Sequence, residues 1–297
     1  MNCILLPIHS KKINWLYSFI RSIDLKEKLN FDLILLVSNE REHIQISSTI
    51  NSLLSEYTSI IKYFNVELYI KQSLKNEELL NRYTLNTDRC IVNLKKFCAL
   101  HWAKDHYEYC AAIDCDTIFK DKNATHAFFS DAIKNYEKNI FFGGTNSHSG
   151  YNEILKACSK YLPNKYSNKL ETLTQKFTVY PWFFDVPLYQ NKDLIAFFEV
   201  MNHQNDNLNN FWNNQNWYSF EHIIFVYFKL IYQNAKLINY STEVKQNVPE
   251  GLNLKDLINI KYRYNYLTTW VRLSSVIEEP TLLQGENIHM IYHIDRI

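Results

Sequence analysis

Asp114 and Asp116 follow a short apolar run in the stretch Tyr109-Cys110-Ala111-Ala112-Ile113-Asp114-Cys115-Asp116-Thr117-Ile118-Phe119. Carboxylates at the end of a buried strand are costly unless a cation or ordered water compensates them. Side chains at i and i+2 of an extended chain point the same way. The two acids can therefore converge on one hard cation, which takes oxygen ligands and suits a partner such as a diphosphate. A strand-end turn whose carboxylates cap backbone amides is the plainer alternative.

The elements that must position these acids are readable from hydrophobic periodicity. Apolar runs over Cys3 to Ile8, Phe31 to Val37, Val66 to Ile70 and Tyr109 to Ile113 predict strands, and near-helical spacing predicts helices from Ile13, over Glu42 to Tyr63 and over Leu94 to Tyr107. This alternation implies a mostly parallel sheet covered on both faces, an α/β fold. Ligands of such sheets bind beyond the carboxyl ends of the strands, here after Pro7, after Val37 and at Asp114.

Lys95 and Lys96 fall in the first turns of the helix before the aspartates. Cations there oppose the helix dipole at about 0.3–1 kcal/mol, so an anionic ligand is one reason for them and a solvated surface is the other. The second half is less regular. Ile140 to Phe142, Tyr180 to Val186 and Lys261 to Tyr266 read as extended. Asp193 to Met201 and Phe220 to Tyr232 read as helices, and Asn202 to Trp217 as a polar loop. No internal boundary is evident, so the expectation is a single domain over 1–297, with a nucleotide-binding half (1–120) and an acceptor-side half (121–297).

Composition bounds the function. The 297 residues carry a formal net charge of +1, which gives no electrostatic case for nucleic acid. None of the six cysteines forms a Cys-x-x-Cys pair, which argues against structural zinc. Pro7 interrupts the first apolar run, so no signal peptide is expected, and no stretch reaches the length of a membrane span. The expected compartment is a reducing cytoplasm, at the inner face of the membrane if it touches lipid. Lys261, Arg263 and Arg272 with Tyr262, Tyr264, Tyr266 and Trp270 are compatible with peripheral membrane contact, though an ordinary strand with a Tyr-lined face is preferred.

The stretch ending in Asp114 and Asp116 resembles the Asp-X-Asp motif of GT-A glycosyltransferases. The preceding Lys-Phe-x-Ala-Leu, at Lys96 to Leu100, resembles that of bacterial GT-A enzymes that build capsule or lipooligosaccharide. The resemblance covers the first 120 residues best and implies a Rossmann-like GT-A fold. It also implies a nucleotide-sugar donor, UDP-linked, a Mn²⁺ or Mg²⁺ ion, and a bacterial glycan or glycolipid acceptor. On it, Asp114 and Asp116 hold the metal, and Lys95, Lys96, Asp114 and Cys115 adjoin the donor. Pro7, His9, Ser38 and Asn39 flank the nucleoside. Glu221, at the start of an apolar helix, is the favoured acid on the acceptor side. There it is a general base in an inverting enzyme or a donor-sugar contact in a retaining one, with Asp185 as competitor. Trp182, Trp212 and Trp217 are stacking candidates, with core packing as the default. His289 and His293 share a strand face. His289 loosely resembles the late metal ligand of glycogenin-like enzymes, whose following Lys-Pro-Trp is absent here.

Two other functions remain open on the residues. A phosphohydrolase of the haloacid dehalogenase type also opens with an apolar strand and Asp-X-Asp, using the first aspartate as nucleophile, but expects the motif near its start. A non-catalytic nucleotide- or glycan-binding protein on a transferase-like scaffold is the third.

Overall fold

Continuous apolar runs such as Cys3-Ile4-Leu5-Leu6 offer no polar face to water, so they belong in the interior of a sheet covered on both sides. The computed structural model describes residues 1–23, 31–85, 91–115, 117–119, 125–145, 149–174, 179–180, 187–239, 259–263, 266–270 and 289–293. In chain order the first elements are β1 (Asn2–Pro7), α1 (Ile13–Ser22), β2 (Phe31–Val37), α2 (Glu40–Leu53), β3 (Ile61–Asn65), α3 (Val66–Tyr69), α4 (Glu77–Leu85), α5 (Ile91–Ala103) and β4 (Tyr109–Ala112). There follow β5 (Thr117–Phe119), α6 (Thr125–Glu137), β6 (Ile140–Thr145), α7 (Ser149–Ser159), α8 (Ser167–Leu173), β7 (Val179–Tyr180), β8 (Leu188–Gln190), α9 (Asn191–Gln204), α10 (Leu208–Asn213) and α11 (Glu221–Tyr232). The chain closes with β9 (Lys236–Asn239), β10 (Asn259–Arg263), β11 (Tyr266–Trp270) and β12 (His289–His293).

The central sheet runs β3-β2-β1-β4-β8, with β1 to β4 parallel and β8 antiparallel at the edge. This is the α/β architecture that the alternation predicts. From β1 the chain winds outward to β2 and β3, then returns through α4 and α5 to set β4 on the other side of β1. The winding reverses between β1 and β4, and a crevice opens beyond the carboxyl ends of two strands related in this way. Two smaller sheets run β10-β11-β12-β5 and β7-β6-β9. In the first, β12 lies antiparallel to β5 with His293 opposite Thr117.

Helix faces follow the apolar spacing. In α1, Leu16, Phe19 and Ile20 are buried, and in α2 Glu42, Ile46 and Ile50 line one face. In α11 every residue from Glu221 to Ile231 is buried, so a charge on this interior helix needs a partner. Lys229 finds Asp193 Oδ2 at 2.8 Å, and the same carboxylate accepts from the Tyr136 hydroxyl at 2.6 Å and from Gln233 Nε2 at 2.8 Å. Buried apolar side chains from Cys3 to Ala235 form one core. Among the described residues, no helix is long and apolar enough to cross a membrane.

Three expectations about elements are corrected. The helix expected over Glu42 to Tyr63 ends at Leu53, and the strand expected over Val66 to Ile70 is β3 at Ile61–Asn65. Asn65 accounts for the shift: its side chain accepts from Leu68 N at 3.1 Å, caps α3 and turns the chain out of the sheet. The expected loop from Asn202 contains α10, capped by Asn207, whose Oδ1 accepts from Asn210 N at 2.9 Å. Buried Phe211 and Trp212 anchor that helix.

Candidate active site

Helix α5 packs on β1, β2 and β4 and against α9 and α11. Successive residues of a helix point about 100° apart, so Lys95 and Lys96 reach different neighbours. Lys95 Nζ donates to Ile8 O at 2.6 Å and to Glu42 Oε2 at 3.1 Å. Glu42 also accepts from Ser38 N at 2.6 Å and from Ser10 N at 3.1 Å. One carboxylate of α2 therefore ties the turns after β1 and β2 to α5. Burial alone would raise the Glu42 pKa, but the Lys95 ammonium and the Ser38 amide together hold it below the ordinary value.

The remaining residues of these turns have visible local tasks. Asn39 caps α2, its side chain accepting from Glu42 N at 3.0 Å. His9 is exposed and accepts from Lys11 N at 3.1 Å through Nδ1. Pro7 is buried at the end of β1, in register with Leu36. A surface cleft of about 290 Å³, lined by Ser10, Lys11, Ile13, Gln45, Ile46 and Thr49, lies between the β1–α1 turn and α2.

Lys96 makes the second cluster. Its Nζ lies 3.0 Å from Asp114 Oδ1, just past the end of β4, and 3.2 Å from Glu221 Oε1, at the start of α11. The side chains of Lys96 and Glu221 are 8% and 3% exposed, and that of Asp114 is 28% exposed. Burial disfavours the Lys96 charge, but Asp114 and Glu221 outweigh it and hold the ammonium above its ordinary pKa. Glu221 moves the other way for a carboxylate: burial raises it, Lys96 opposes, and the Asp114 charge raises it further. Two carboxylates therefore share the Lys96 ammonium. Cys115, next to Asp114 in sequence, is buried.

Three buried polar atoms here have no hydrogen-bond partner among the described residues: Glu221 Oε2, the Tyr189 hydroxyl on β8, and His222 Nδ1. The Tyr189 and His222 rings meet edge-on at 6.2 Å between centroids. Burial, with Lys96 adding, lowers the His222 pKa to about 3, so the imidazole is neutral. Glu221 thus combines burial, a raised pKa and an oxygen without a hydrogen-bond partner among the described residues.

The structure thus brings Lys96, Asp114 and Glu221 into one group and sets Lys95, Ser38 and Glu42 in a second, with Asn39 capping the helix that carries Glu42. Asp116, Asp185 and Trp182 lie outside the described residues. His289 and His293 are described by their backbones in β12, and their side chains lie outside the description. Trp212 is core, packed on Phe198 and Phe211. Sequence reasoning missed Glu42, although Asn39-x-x-Glu42 has the spacing of a capping box. It also missed Tyr189, which no motif marks.

No protein-family profile matches the chain, and no curated protein matches it. Among solved structures, mouse xyloside xylosyltransferase 1 in its apo form aligns at a TM-score of 0.47 and 10% identity, over 99% of this chain and 97% of that one. Core-mannan synthase A of Aspergillus fumigatus, in a Mn/GDP form, aligns at 0.33 and 13% identity, over 80% of this chain and 72% of that one. Residues 1–349 of S. aureus TarS align at 0.30 and 13% identity, over 66% of this chain and 48% of that one. At these scores the likenesses carry neither substrate nor mechanism across to this chain, and its fold class stands on its own sheet order.

Proposed function

We propose that the protein is a glycosyltransferase that moves a sugar from a nucleotide-sugar, UDP-linked, to a bacterial surface-glycan acceptor. The observation that carries the reading is the Lys96 ammonium held between Asp114 and Glu221 at the β1–β4 switch point, with Glu221 Oε2 unbonded. Glu221 accepts the proton of the incoming acceptor hydroxyl through that oxygen. Burial and the Asp114 charge raise its pKa against the pull of Lys96, which makes it a stronger base than a solvated carboxylate. Lys96 holds Glu221 in place and supplies one fixed positive charge where a leaving diphosphate develops negative charge. Lys95 and Glu42 keep the β1 and β2 turns in the shape that receives the nucleoside, beside His9, Ser38 and Asn39.

The corner would suit a hard divalent ion in that the Asp114 carboxylate, at the end of β4, is partly exposed. Asp114 and Asp116 would hold Mn²⁺ or Mg²⁺. His289 or His293, on the strand paired with β5, would be a further ligand. Such an ion would neutralise the departing diphosphate.

The test is release of UDP from a panel of UDP-sugars, with and without Mn²⁺. Expected is metal-dependent release, lost in Asp114→Asn at an unchanged melting temperature. Hydrolysis of an aryl phosphate that Asp114→Asn abolishes would instead select the phosphohydrolase. Nucleotide binding without turnover across the panel would select the binding protein.

A further inference from the structure

Trp217 and Tyr218 sit in the turn that leads into Glu221, and they are 50% and 38% exposed. The turn is braced from within. Asn216 O accepts from Ser219 N at 3.0 Å, Asn216 Oδ1 accepts from Tyr218 N at 2.8 Å, and Ser219 Oγ accepts from Asn216 N at 2.9 Å. It is also braced from outside. Asn93 Nδ2 donates to Trp217 O at 3.1 Å, Cys158 Sγ donates to Tyr218 O at 3.2 Å, and the Tyr161 hydroxyl shares a hydrogen bond with Ser219 Oγ at 2.8 Å. Asn93 and Lys96 are three residues apart on α5 and so share a helix face. The turn therefore crosses α5 about one helical turn from the Lys96 ammonium.

Single exposed aromatic residues are ordinary. Two in sequence, on a turn fixed to the neighbouring helices and next to an unbonded carboxylate, present a rigid platform. Its chemistry is specific. From Asn207 to Phe220 the chain carries no Asp, Glu, Lys, Arg or His. The exposed neighbours Asn214 and Asn216 carry amides. A surface of ring faces and amides suits a neutral polyhydroxylated ring, whose C–H face lies on an indole and whose hydroxyls meet amide donors and acceptors. The charged side chains that reach this segment, Arg82 and Glu78, bond to Asn213 and Gln215 rather than to Trp217 or Tyr218.

We propose that residues 214–218 form a subsite for a neutral sugar ring, with Trp217 as the platform and Tyr218 at its flank, guiding a hydroxyl toward Glu221. That this sugar belongs to the acceptor rests on the glycosyltransferase reading; the binding of the sugar does not.

The test applies the full chain, without donor, to a printed panel of neutral and anionic oligosaccharides. Trp217→Ala, Trp217→Phe and Tyr218→Ala run beside it, each with a thermal melt and a UDP-binding isotherm. Expected is binding to neutral members, weakened at least about tenfold by Trp217→Ala and roughly threefold by each of the other two, with UDP affinity unchanged. If Trp217→Ala melts early, Trp217→Phe and Tyr218→Ala carry the result. No binding by the unaltered chain, binding confined to anionic members, or variants that bind as the unaltered chain does would each overturn the subsite. Glycan binding together with no sugar transfer from any UDP-sugar would count against the proposed activity and leave the subsite standing.

Discussion

Lys95 and Lys96 are adjacent, both buried, and both paired with carboxylates, yet their surroundings differ in one respect. Lys95 and Glu42 are themselves satisfied: Glu42 accepts from the ammonium and from two backbone amides, and Ile8 O takes a further bond from Lys95. Around Lys96, Glu221 Oε2 is left without a partner among the described residues, and Asp114 reaches solvent. A satisfied buried network rigidifies, whereas an unsatisfied one holds free energy that a ligand can release. On the proposed function the first cluster shapes the turns and the second carries the chemistry, although the sequence presents them as one Lys-Lys pair.

Glu221→Gln tests the contrast hardest. UDP-sugar transfer should fall about 10²–10⁴-fold, the usual worth of a general base, while stability should not fall. Because the folded-state pKa of Glu221 is raised, the stability linked to it is fully present below the ordinary carboxyl pKa and is lost as pH rises through the folded value. Glutamine mimics the protonated form, so at pH 7 the variant should melt at or above the unaltered chain. The gap should close as pH drops toward 4.5, the ordinary value. A variant that melts lower at pH 7 but transfers normally would put Glu221 in the scaffold.

The two lysines give the next largest effect. Lys95→Met strands Glu42 in the interior and should cost about 3–5 kcal/mol in a urea melt, as breaking a buried pair does. Lys96→Met should cost less, because Asp114 is partly hydrated. The reverse order would dissolve the distinction between the clusters.

Asn39→Ala sharpens it at the smallest scale. Loss of the α2 cap should cost about 1 kcal/mol, read by the same melt. If Asn39 also flanks the nucleoside, UDP affinity drops more than threefold at temperatures where both proteins are fully folded. An unchanged isotherm leaves it a cap alone.

The central sheet was largely legible because β1, β2 and β4 are buried for most of their length and so carry continuous apolar runs, Cys3 to Leu6, Leu33 to Val37 and Tyr109 to Ala112. The β3–α3 boundary was not, since Ile60 to Ile70 contains no Gly or Pro and the break depends on what one Asn65 side chain bonds. Helix α10 was hidden by its asparagines, poor helix formers that here are overruled by buried Phe211 and Trp212. Asp114, Lys96 and Glu221 were each visible as residue types in suggestive places. Their convergence was not, because 125 positions separate Lys96 from Glu221 and no local pattern encodes so distant a meeting.

That separation also has a meaning for a chain made from its amino end. A growing polypeptide that has emerged as far as β4 already carries Lys96 and Asp114 but lacks the acid of α11. The strand beside β5 arrives only with residues 289–293. The Lys96 cluster therefore cannot close until α11 has been made.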